Sequence, residues 1–255
     1  MKISHLLSRS CFLVLFLLCC VLAQAQETSI TVRARAKDAK FIGSSMGGAR
    51  ILIKNAETGK ILAEGVTEGD TGNTEKIMKQ AHERYQGLSD NNTAGFTAIL
   101  ELKKPVFVTV EAHGPLNSKQ AAVTSSTQLW LFPGKDITGD GLVLELPGFA
   151  VNILSHQTHE TVVAEKHVEI KANIVMMCGC PVTEEGLWDA NQYEIKAIIS
   201  RGPNQLQEIS LESAEKPSTF TATTRLDPGN YDIMVYAFDP VSGNSGLDTT
   251  NVIVK

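Results

Sequence analysis

The chain has 255 residues, with 23 Lys+Arg against 28 Asp+Glu for a net charge of −5, and 6% of its residues are aromatic. Dispersed, net negative charge excludes the clustered positive surface that nucleic acids and anionic membranes require. The low aromatic content sets a carbohydrate- or surface-binding face last among the binding classes.

Residues 1–25 read as a secretory leader. Lys2 and Arg9 give a basic start, residues 11–22 form an apolar core too short to span a bilayer, and Ala23-Gln24-Ala25 has the small-x-small cleavage pattern. Cleavage is expected after Ala25, which makes the protein periplasmic or secreted. Leu18 before Cys19, and Cys19 before Cys20, disfavour lipidation, which needs a small residue ahead of the modified cysteine. Loss of Lys2 and Arg9 leaves 21 basic against 28 acidic residues, a net charge of −7. No later run is long or apolar enough to cross a membrane, so no membrane span is expected. Of the five cysteines only Cys178 and Cys180 remain, in an oxidising compartment that favours a disulfide or a bound metal over idle thiols. The length that remains suits two domains.

From residue 26 the pattern is that of short strands. Ile30, Val32, Ala34 and Ala36 alternate with Thr31, Arg33 and Arg35, as in a half-buried strand. A strand with Ile51 and Ile53 on one face follows, and Glu57-Thr58-Gly59-Lys60 turns into Ile61-Leu62-Ala63. Residues 74–87 break the alternation: Ile77, Met78, Ala81, Tyr85 and Leu88 recur at helical spacing, with Glu75/Lys79 and Lys79/Glu83 pairs, a cap at Asn73 or Thr74, and Gly87 at the end. One inserted helix is predicted there, with His82 as a solvated residue. Strands resume with Phe96, Ala98 and Leu100, then Val106 to Ala112, and the set ends at 149–154.

The run Gly48-Ala49-Arg50-Ile51-Leu52-Ile53, the turn Thr58-Gly59-Lys60 and the step Ala94-Gly95-Phe96 resemble a transthyretin-like or carboxypeptidase-regulatory-like β-sandwich over residues 28–154. The resemblance implies a fold and no activity. The first domain is therefore placed at 26–155, and the polar stretch 156–166 is read as a linker. In the second domain, 167–255, Val168, Ile170, Ala172, Ile174 and Met176 share one face. Further alternating runs follow, and Pro228-Gly229-Asn230-Tyr231 … Ala237 … Ser242-Gly243-Asn244 resembles the last strands of bacterial Ig-like and fibronectin-like modules. The predicted fold class is all-β, two tandem antiparallel β-sandwiches with one inserted helix.

The stretch Met176-Met177-Cys178-Gly179-Cys180-Pro181 carries the most specific chemistry. Thiolate and thioether donors packed this closely suit Cu(I), which makes copper the one cofactor the sequence suggests, with Cys178, Cys180, Met176 and Met177 as soft-metal candidates. In an extended strand, i and i+2 lie ~6.5 Å apart, too far for a disulfide. Gly179 can relax that spacing and Pro181 must end strand pairing, so a Cys178–Cys180 disulfide, structural or redox-active, and a buried sulfur plug both remain open. A lone Cys-x-Cys has no second pair to complete a zinc site.

Asp136, Thr138 and Asp140, followed by Gly141, match the opening of a calcium loop, but Pro147 stands where a bidentate Glu belongs and a hairpin turn explains the run as well. His156 and His159, with His167 nearby, are candidate imidazole ligands in a segment that reads more simply as a solvated linker. No His-Glu-x-x-His, phosphate-cradling glycine loop or Cys-x-x-Cys-His occurs. A thiol–disulfide enzyme needs a cation to lower one thiol pKa, and Lys171 is the only Lys, Arg or His within seven residues of Cys178 and Cys180 on that side or the other. The expectation is an exported, non-enzymatic binding or accessory protein whose partner is another envelope protein. The alternatives are a thiol–disulfide redox protein and a purely structural or adhesive module.

Overall fold

A computed structural model describes residues 24–163 and 167–255, so the leader lies outside the described residues except for Gln24 and Ala25. The first sandwich is built from β1 (Gln26–Ala36), β2 (Arg50–Asn55), β3 (Ile61–Val66), β4 (Phe96–Leu102), β5 (Val106–Gly114), β6 (Val123–Leu131) and β7 (Ile137–Leu146). One sheet runs β4-β1-β7 and the other β3-β2-β5-β6. β1 is antiparallel to β4 and parallel to β7. The period-2 pattern has its expected cause: Ile30, Val32, Ala34, Ala36, Ile51, Ile53, Val108, Val110 and Ala112 are all buried between the sheets.

The other face of β1 is not open. Thr31 and Arg33 are buried too, because the 88–95 segment and a bulge in β7 cover them. Along β1 and β7 the register passes from Ile30↔Ile137 directly to Val32↔Leu142, so residues 138–141 bulge out of the ladder. The Arg33 guanidinium donates to the carbonyls of Thr93, Ala94 and Gly139, which satisfies most of a buried cation's donors. Burial pulls the Arg33 pKa below its usual value, against the pull of Asp140 and Asp90.

The inserted helix is a single π-type turn, Glu75–Lys79. Asn73 Oδ1 accepts the Lys76 N–H at 3.0 Å, and Glu75–Lys79 pair at 3.1 Å, so the start signals hold. The rest of 74–87 does not continue as helix. A short isolated helix is marginal without an apolar face to bury, and here only Ile77 is buried while Tyr85 is 89% exposed. The chain instead docks through Asp140, which accepts the N–H groups of Leu88 at 2.6 Å and Ser89 at 2.7 Å and the Ser89 hydroxyl at 2.6 Å.

The second sandwich comprises β8 (Phe149–Ser155), β9 (Glu160–Val162), β10 (Val168–Met176), β11 (Glu194–Arg201), β12 (Asn204–Ser210), β13 (Glu212–Ser213), β14 (Thr219–Thr224), β15 (Gly229–Phe238) and β16 (Ser245–Val254). Its sheets run β13-β14-β10-β8 and β12-β11-β15-β16-β9. β8, expected to close the first sandwich, pairs with β10 over Met176↔Phe149 to Lys171↔Ser155. Gly148, at φ 128°, lets the chain leave β7 and cross between sandwiches. Part of the expected linker is also strand, since β9 pairs in parallel with β16. The order matches the A-B-E-D and C-F-G sheets of an immunoglobulin-like domain. Tyr231, 3% exposed at the start of β15, donates its hydroxyl to the Asp227 carbonyl at 2.9 Å and so forms the tyrosine corner of that fold.

The two sandwiches meet around the turn at residues 37–39. Trp188 Nε1 donates to the Asp38 carbonyl at 2.8 Å, and Lys37 Nζ to the Ser242 carbonyl at 2.6 Å. The fully buried Asn244 donates to the Lys37 carbonyl at 3.0 Å and accepts the Gly148 N–H at 2.9 Å.

Candidate functional site at the domain junction

At the end of β10 the chain reverses within a few residues. Gly179 N–H donates to the Met176 carbonyl at 2.7 Å, Met176 N–H donates to the Cys180 carbonyl at 3.0 Å, and Val175 bridges Pro181. Gly179 supplies the left-handed φ of 77° that this reversal needs. The turn draws the Cys178 and Cys180 Cα atoms to 5.4 Å, inside disulfide range, and their sulfurs are bonded. Glycine relaxes the strand spacing, as the sequence allowed.

The sulfurs are not at the surface. Met176 and Met177 are fully buried, Cys178 is 1% exposed and Cys180 5%, whereas Gly179 at the tip is exposed. The opposite wall comes from the segment before β14: Ser218 Oγ accepts the Val182 N–H at 3.1 Å, and its carbonyl accepts the Ile174 N–H at 2.9 Å. Over the tip lies Met46, in the 3-10 turn Ser44–Met46 of the first sandwich. Its Sδ stands 2.9 Å from where a Cβ on Gly179 would project, so the thioether packs directly on the tip of the turn. The Met177 thioether lies at Gly148, 3.7 Å from the corresponding Cβ position. The Met46 thioether at Gly179 and the Met177 thioether at Gly148 both lie along the junction.

The junction is also acidic. Burial, then Asp239 and Glu145, push the Asp38 pKa above the usual carboxylate value against the opposing Arg35. Tyr193, packed edge-on against Phe149 with ring centroids 5.0 Å apart, has its pKa raised to about 12 by burial and by Asp239, Asp38 and Asp189.

The other candidates are arranged differently from expectation. Residues 137–146 are strand, so Asp136, Thr138 and Asp140 do not wrap around a cation. Asp136 Oδ1 accepts the Ser29 N–H at 2.8 Å, and Asp140 is committed to Leu88 and Ser89. Burial works to raise the Asp140 pKa, but the Ser89 hydroxyl, the Leu88 and Ser89 N–H groups and Arg33 outweigh it and hold it below the usual value. His156 is largely covered, with Nδ1 3.1 Å from Glu160 Oε1 in an orientation too poor for a directed hydrogen bond. His159 is exposed at φ 64°, and its N–H donates to Asn251 Oδ1 at 2.7 Å. His167 contacts Arg225. Among the described residues no three His, Cys, Asp or Glu side chains are placed to hold a metal ion.

Gly43-Ser44-Ser45-Met46-Gly47 spells Gly-x-Ser-x-Gly. A nucleophile elbow joins a strand to a helix, whereas this 3-10 turn leads into β2, and the pattern has no such support. A groove of about 580 Å³ on the outer face of β11, β15 and β16, lined by Ile198, Ser200, Asp232, Met234 and Thr249, lies away from the cysteines. The Met46–Gly179 approach, the Trp188–Asp38 bond and the Asn244 bonds carry no sequence signal, because no local pattern marks a contact between residues so far apart in the chain.

No protein-family model and no curated protein matches the chain. Among solved structures, the fibronectin(III)-like modules of Clostridium thermocellum CbhA align with 90% of this chain and 94% of theirs, at 11% identity and a TM-score of 0.30. The titin domains z1z2 in complex with telethonin align over 91% and 89%, at 11% identity and a TM-score of 0.26. An engineered protein matches 49% of this chain at 16% identity and a TM-score of 0.33, and the chain spans 24% of its length.

Proposed function

We propose that this is an exported, non-enzymatic binding or accessory protein of the cell envelope, with a soft metal ion of the Cu(I) type as the ligand of its Cys-Gly-Cys turn. The supporting observation is that Cys178 and Cys180 close a loop of only three residues at a sulfur-lined junction. Loop-closure entropy assigns such a bond about 1.6 kcal/mol, against about 4.7 kcal/mol for a 100-residue loop, so cross-linking is a weak reason for the pair. Two thiols and neighbouring thioethers, once reduced, are the donor set Cu(I) favours. The leader supports export, and the negative mature charge argues for a protein partner in the envelope over nucleic acid. We read the first sandwich as transthyretin-like on its runs Gly48–Ile53, Thr58–Lys60 and Ala94–Phe96, which resemble that module.

A second reading, a purely structural module, is favoured by one observation: the sulfurs are already bonded and buried. The test is anaerobic Cu(I) titration of reduced residues 26–255 beside a Cys178→Ser/Cys180→Ser variant. One equivalent bound by the parent and none by the variant is expected. No binding by the parent leaves the structural reading.

A further inference from the structure

The soft-metal reading leaves open which thioether joins the two cysteines, and the fold distinguishes the candidates. Met176 is a fully buried core residue, and the Met177 thioether lies at Gly148. Met46 is only partly buried, lies against the tip of the turn, and comes from the other sandwich. Its backbone is fixed: its N–H donates to the Gly43 carbonyl at 3.0 Å, and its carbonyl accepts the Asn117 N–H at 3.1 Å. Asn117 Nδ2 also holds the Ser45 carbonyl at 3.0 Å. The Met46 Sδ and Cγ lie 2.9 and 3.0 Å from where a Cβ on Gly179 would project, which seats the thioether on the turn between the two cysteines.

We propose that Met46 is the third ligand of a soft-metal site spanning the two domains, beside the thiolates of Cys178 and Cys180. The inference rests on the soft-metal reading and adds the atom that completes the site. Loading starts from the dithiol form. A dithiol reductant gives two electrons and two protons to the Cys178–Cys180 bond, leaving two thiols and becoming a disulfide itself. Cu(I) then displaces both thiol protons to solvent and forms two Cu–S bonds, giving a centre of net charge −1. The Met46 thioether adds a neutral soft donor without adding charge. Because the ligands come from both sandwiches, the bound ion ties the first domain to the second.

The test compares the parent residues 26–255 with Met46→Leu and Met177→Leu, each reduced, freed of reductant, and titrated with Cu(I) anaerobically against a chromogenic Cu(I) chelator. Leucine keeps roughly the volume of methionine, and thermal melts of the oxidised proteins check that each variant folds. Met46→Leu is expected to keep one equivalent while losing affinity roughly 10- to 100-fold, the range set by disturbing a metal's immediate surroundings. X-ray absorption should show three sulfurs around copper in the parent and two in Met46→Leu. Unchanged affinity and a three-sulfur shell in Met46→Leu, or a loss confined to Met177→Leu, overturns the assignment of Met46 and leaves the soft-metal reading standing. No Cu(I) uptake by the reduced parent removes both.

Discussion

Reducing the Cys178–Cys180 bond without changing any residue measures how much of the fold depends on it. The bond spans a sequence separation of two. Loop-closure entropy for three residues gives a stabilisation of about 1.6 kcal/mol. The turn has its own hydrogen bonds, Gly179 N–H to the Met176 carbonyl and Met176 N–H to the Cys180 carbonyl, and these survive reduction. The new thiols stay in an apolar pocket that accepts them as small hydrophobes. The assay is urea unfolding of residues 26–255 in oxidised and reduced forms, with thermal melts alongside. A loss of about 1–2 kcal/mol is expected, with a fall of roughly 5–10 °C in the melting temperature of the second sandwich. The reduced protein should still unfold cooperatively. A loss beyond about 4 kcal/mol, or a reduced form with no cooperative transition, would refute the argument, because the bond would then be a principal staple of the domain.

Two further outcomes follow from single buried contacts. Asp140→Asn removes the carboxylate that accepts three donors from Leu88 and Ser89, and is expected to cost about 1–3 kcal/mol and to speed proteolysis within residues 80–95. Since the folded Asp140 pKa lies below its unfolded value, its contribution is present above the unfolded carboxylate pKa and is lost as pH falls through the folded one. Amide exchange at Leu88 and Ser89 followed down the acid range should show that loss in the parent and not in Asp140→Asn. Tyr231→Phe deletes the hydroxyl bonded to the Asp227 carbonyl and should cost about 1–3 kcal/mol in urea unfolding, with near-native far-UV circular dichroism.

Burial first, and then Asp239, Asp38 and Asp189, push the Tyr193 pKa up to about 12, so the phenol stays protonated through the neutral range.

The sequence by itself determined most of the strands and the bend that follows Met177. Side chains of a strand alternate between faces, so Ile30-Val32-Ala34-Ala36 and Val168-Ile170-Ala172-Ile174 carry the record of one buried face. Glycine between two cysteines and proline after them fixed the reversal at 178–181 for equally local reasons. Tertiary structure decided what each segment faces. Phe149–Ser155 reads the same whichever sheet receives it, and only pairing with β10 assigns it to the second sandwich. The helical spacing of 74–87 stops after one turn because no surface buries its apolar stripe. Arg33 looks like an outward residue until the 88–95 segment closes over it. Met46 reaches Gly179 only because two sandwiches meet there. Periodicity records that a face is buried; the identity of the covering atoms depends on contacts between distant parts of the chain, which no local pattern encodes.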